Sequence, residues 1–82
     1  RSLKDKRSVV QTICAGARRR FGVAASETAR QDRQSRAEVC FAVVAGTAGH
    51  TEQVADAVER FVWSFPEVEV VAMDRYWVDT DR

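Results

Sequence analysis

Apolar residues recur at helical spacing along the opening of the chain. Leu3, Val10, Ile13, Cys14, Ala17 and Phe21 fall on one stripe, which predicts a helix over residues 3–20. Ser2 followed three positions later by Asp5 is a relative of the capping box, and Gly22 supplies the stop. Val23–Thr28 then predicts a modest strand, Ala29–Ser35 a polar connection, and Glu38–Val44 a strand of buried composition. After the loop Gly46–Gly49, Thr47 or Thr51 can cap a second helix. Its stripe is Val54, Val58, Phe61, Val62 and Phe65, ended by Pro66. Val68–Val78, rich in β-branched and aromatic residues, predicts a long final strand.

Helix, strand, strand, helix, strand is an α+β order. It matches the ferredoxin-like two-layer sandwich, β-α-β-β-α-β, with its first strand missing. The expectation is therefore a single domain over residues 1–82 that is a fragment lacking an N-terminal strand. With strands about 4.8 Å apart, that loss leaves a gap of roughly 10 Å between the final strand and the strand holding Phe41. If Val39, Phe41 and Val43 point to the helices, then Cys40, Ala42 and Val44 point away. On the final strand Val71, Met73 and Trp77 join them. Such an open apolar face marks an interface, and burying roughly 400 Å² of it yields about 10 kcal/mol before association costs. A homodimer through this sheet face, or a protein partner there, is expected.

Composition narrows the class. Of 82 residues, 45% are hydrophobic and 30% charged, an ordinary globular balance with a thin core. The longest apolar run, Val39–Ala45, is far too short to span a bilayer, and the basic start does not lead into a signal-peptide core, so no membrane association and a cytoplasmic location are expected. The net charge of +1 hides an asymmetry. Residues 1–36 carry ten Lys/Arg against three carboxylates, a charge of +7, and residues 37–82 carry three Arg against nine carboxylates, a charge of −6. Such a split suits a polar partner of one sign, or two halves that attract each other.

The stretches "RSLKDKRSVV", "QD" followed by "RAE", and "HTEQVADAVERFV" with its following "PEVEV" resemble the YlxP-like family of small bacterial proteins of unknown function. The similarity covers essentially the whole chain. It implies a ferredoxin-like fold with an upstream strand. The family's tendency to be encoded among translation and ribosome-maturation genes points toward RNA. The matching positions are Arg1, Ser2, Leu3, Lys4, Lys6 and Arg7, then Gln31, Asp32, Arg36, Ala37 and Glu38. Two positions depart from the pattern: Arg33-Gln34 stands where a Leu-Trp pair usually follows the Asp, and Trp63 stands where a charged residue is usual.

Candidate chemistry is sparse. Lys4, Arg7, Gln11 and Arg18 line up on a helical wheel, and Arg33 and Arg36 lie in and after the polar loop; such rows bind phosphates, or are simply a solvated face. Lys6 falls inside the apolar stripe, where snorkelling is the expected behaviour. "GTAGH" has the position of a phosphate-cradling loop but lacks the Gly-Lys-Ser/Thr of a P-loop, so it reads as a capped turn. An RNA-recognition motif needs stacking aromatics on its central strands, whereas Phe41 alone reads as core. The single histidine, His50, sits at a helix start. Cys14 and Cys40 have neither redox nor metal spacing and read as inert buried thiols. Glu52, Asp56 and Glu59 share a helix face and read as solvated surface. No enzyme, metal or cofactor is expected. The reading is a non-enzymatic binding module, RNA- or ribosome-associated, contacting phosphates through Lys4, Arg7, Arg18, Arg33 and Arg36. Its alternative is a protein–protein adaptor or structural homodimer with no nucleic-acid contact.

Overall fold

The computed structural model describes residues 3–31 and 36–78, with side chains described from residue 7 to 29 and from 36 to 78. The architecture is α+β: helix α1 (Leu3–Phe21), strands β1 (Ala24–Gln31) and β2 (Arg36–Ala42), and helix α2 (Ala48–Trp63). α1 ends where Gly22 adopts φ 65° and its N–H donates to the Arg18 carbonyl at 3.1 Å. Only glycine enters that left-handed region without a steric cost, so the stop is local. Arg18, Arg19 and Arg20 occupy the last turn, at the negative end of the helix dipole.

β1 and β2 form an antiparallel hairpin running from Ala24↔Ala42 to Gln31↔Arg36, with a bulge between Glu27 and Ala29 that leaves Thr28 as the extra residue. β1 therefore extends three residues into the stretch expected to be a polar connection. Its far end is held by ladder bonds to Arg36, Ala37 and Glu38 rather than by apolar burial. β2 stops at Ala42 instead of Val44 because its ladder partner β1 begins at Ala24, the residue opposite Ala42.

Two clusters make the core. Val10 and Cys14 of α1 pack with Ala25, Val39 and Phe41, and Ala17 packs with Val23, Val58, Val54 and Phe61; Phe41 joins both. Ala17 is completely buried, and Gly16 lets α2 approach closely, because a β-carbon there would lie 2.6 Å from the Phe61 ring. Phe61 is also met edge-on by Phe21 and Phe65, with ring centroids 5.7 and 5.1 Å away. On α2 only Val58 is buried; Val54, Phe61 and Val62 stay half-buried, as does Phe65 just past its end.

The last expected strand does not form among the described residues. The sheet is two-stranded, in the order β1-β2, and residues 68–78 carry no regular secondary structure and no ladder partner among the described residues. β-branched composition favours extended backbone, but a strand also needs a neighbour to exchange hydrogen bonds with. Residues 68–78 do not pair directly with β2, so the arrangement that would have closed the expected gap is absent. The radius of gyration, 13.7 Å, exceeds the roughly 12 Å of a compact chain of this length.

Candidate nucleic-acid interface

α1 and β1 run in opposite directions, since Ala17 lies over Val23 while Val10 and Cys14 lie over Ala25. The first turns of α1 and the Gln31/Arg36 end of the hairpin are therefore at one end of the molecule. That places Arg7, exposed on α1, at the same end as Arg36, exposed at the start of β2. Lys4 belongs to the first turn of the same helix, but its side chain lies outside the described residues, as does that of Lys6, and Arg33 lies outside them altogether.

Arg18 is eleven residues beyond Arg7, three turns further along the same face and about 16 Å away along the axis. Its guanidinium Nη2 donates to the Ala25 carbonyl at 2.5 Å, fastening α1 to β1. Arg20 lies over the Phe61 ring with its guanidinium carbon 5.0 Å from the centroid. The sequence pattern gave no sign of either tether, because each depends on where the facing element lies.

The opposite sheet face carries Cys40 and Ala42, both exposed, and Val44, two residues beyond the end of β2, is 95% exposed. Cys40 is thus not a buried thiol. Val39 and Phe41 alternate inward, which turns Cys40 out beside the Thr28 hydroxyl, 3.4 Å from its sulfur; that hydroxyl donates to Glu38 Oε1 at 2.8 Å. Cys14 is buried, and burial pushes its thiol above the ordinary cysteine value. Nearby Arg18 opposes that rise and Glu27 adds to it. Glu27 pairs opposite Val39 on the inward side of the hairpin, and its Oε2 is buried without a hydrogen-bond partner. Sequence reading missed it, since a charged residue in a short polar strand gives no sign of its side.

On the final segment Val68 and Val70 are half-buried, and Val71, Met73 and Trp77 are exposed. Arg75 turns to α2, where its Nη2 reaches Asp56 Oδ1 at 2.8 Å and Glu59 Oε1 at 2.7 Å. Two of the three carboxylates expected to be plain surface are therefore a clamp on residues 68–78. Thr47 Oγ1 accepts the His50 backbone N–H at 3.1 Å, so "GTAGH" is a capped turn. Among the described residues no group of His, Cys, Asp and Glu could hold a metal ion, and no helix is long and apolar enough to cross a membrane.

A family model described as DUF503, a protein of unknown function, matches residues 1–75. The chain is also 34% identical over 76 residues to the "Uncharacterized protein YlxP" of Bacillus subtilis (strain 168), covering 93% of this chain and 83% of the relative. Both agree with the resemblance carried by the opening motif. No solved structure matches.

Proposed function

The chain belongs to the DUF503 family of proteins of unknown function, and from that footing we propose that it is a non-enzymatic, cytoplasmic binding module for RNA or a ribosomal surface. The observation that carries this reading is the placement of exposed Arg7 and Arg36 at one end of a half-chain of charge +7, with Arg18 further along the same helix face. Lys4 stands in the first turn of that helix, and Arg33 joins the set as a sequence candidate only. Lys/Arg rows bind phosphates by releasing counterions, so affinity falls with salt. Titrating a structured RNA at 50 and 200 mM salt tests it. With two to three phosphates neutralised, binding weakens about 10- to 40-fold across that range, and further with Lys4→Ala/Arg7→Ala. Absence of binding at low salt sinks the reading.

The fold that goes with this proposal is the ferredoxin-like sandwich, in which one further strand lies between β2 and residues 68–78. Two observations support it: among the described residues β2 has a partner on one side only, and the segment 68–78, β-branched in composition, has none. A second reading is a protein contact, a homodimer included, through Cys40, Ala42, Val44, Val71, Met73 and Trp77. Exposures of 95% at Val44 and 72% at Val71 favour it. Sedimentation that shows only monomer at high micromolar concentration would remove the homodimer.

A further inference from the structure

We infer that the RNA taken by the basic face is double-helical and is gripped by its backbone, not by unpaired bases. This inference rests on the RNA reading above and narrows its ligand. Proteins that hold single strands combine positive charge with aromatic side chains on which bases stack. The basic half of this chain offers none. Phe21 is the only aromatic residue among positions 1–36, and it is half-buried edge-on against Phe61. Phe61 is itself enclosed by Phe65 and covered by the Arg20 guanidinium.

The exposed aromatic rings stand in the other half. Trp63 is 58% exposed, Tyr76 87% and Trp77 58%. All belong to residues 37–82, whose charge is −6, and they share elements with Glu52, Glu69 and Asp74. A phosphate backbone attracted to the arginines is repelled from these rings.

Rigidity points the same way. Arg7 and Arg18 sit three turns apart on one face of a single helix, a fixed separation of about 16 Å. Arg18 is anchored by its bond to the Ala25 carbonyl, and the rest of its five-donor guanidinium remains available to a ligand. Cations held at fixed spacing suit phosphates held at fixed spacing, which a duplex has and a flexible strand lacks. The wide minor groove of A-form RNA also presents 2′-hydroxyls to short polar side chains such as Ser8 and Gln11, exposed beside Arg7.

The test compares the full chain's affinity for a 20-base-pair RNA duplex (about 20, enough for roughly two minor grooves) with that for an unstructured single strand of equal length, by fluorescence anisotropy at 50 mM salt. The duplex should bind at least tenfold tighter. Arg7→Gln should weaken it severalfold, and Trp63→Ala and Trp77→Ala should each leave it within twofold. Equal or tighter binding of the single strand overturns the inference and leaves the RNA reading standing, as does a tenfold loss on removing either tryptophan. Failure of both RNAs to bind removes the RNA reading itself.

Discussion

Gly16 shows how much a single missing side chain decides in a core this thin. In a helix interior alanine is favoured over glycine by about 1 kcal/mol. Here the β-carbon would meet the Phe61 ring at 2.6 Å, and the ring cannot retreat freely, with Phe21, Phe65 and Arg20 around it. Overpacking of this kind costs about 1–3 kcal/mol, so the clash outweighs the helix gain. Gly16→Ala is expected to lower the urea midpoint by an amount equal to about 1 kcal/mol, and the loss should vanish when Phe61→Leu is combined with it. A raised midpoint for the single variant would show that the helices have room to part. The same scale separates the two cysteines. One residue's step along the hairpin from the inward Val39 is enough to put Cys40 in solvent, whereas Cys14 lies on the inner face of α1, packed with Ala25.

Elements were legible where their determinants are local, and illegible where they are not. The stripe from Val10 to Ala17, the Gly22 stop and the Thr47 cap each involve neighbours within a turn or so, and all appear where the pattern put them. The hairpin was legible in kind but not in extent, because Ala29, Arg30 and Gln31 are strand only by virtue of what lies opposite. The exposed placement of Arg7 and Arg18 could be read from a helical wheel. The bond from Arg18 to Ala25 could not, nor could the return of Arg75 to α2, which requires the turn after Trp63 to bring the chain back along the helix. That return has a testable consequence. The clamp groups are all solvent-accessible, so the ion pairs add little to global stability, yet they are the described polar ties holding residues 68–78 to the body. Arg75→Ala should leave the thermal midpoint within a degree or two (~1–2 °C, a surface-pair effect). Limited proteolysis should then cut between residues 68 and 78 several times faster. An unchanged cleavage rate would mean that Val68 and Val70 alone hold the segment.

At the scale of the molecule, two amphipathic helices are laid over a floor that supports only one of them well. α1 rests on both strands and buries Val10, Ile13, Cys14 and Ala17, whereas α2 packs chiefly on α1 and buries Val58 alone. Residues 68–78, β-branched in composition but without a ladder among the described residues, would under the ferredoxin-like reading face the free edge of β2 across one unfilled lane. Hydrogen exchange can see this directly. Amides of β2 that point to β1 should be protected, those that point away should exchange nearly as fast as in a free peptide, and residues 68–78 should exchange fast throughout. Fusing a strand of alternating apolar residues ahead of Leu3 should then slow the second β2 set and residues 68–78 together. Covering roughly 200 Å² of apolar surface would contribute about 5 kcal/mol before ordering costs, so the urea midpoint should rise as well. Were residues 68–78 already protected without the added strand, or were they to stay unprotected with it, the four-stranded floor would be the wrong picture. α2 would then have to find its cover elsewhere.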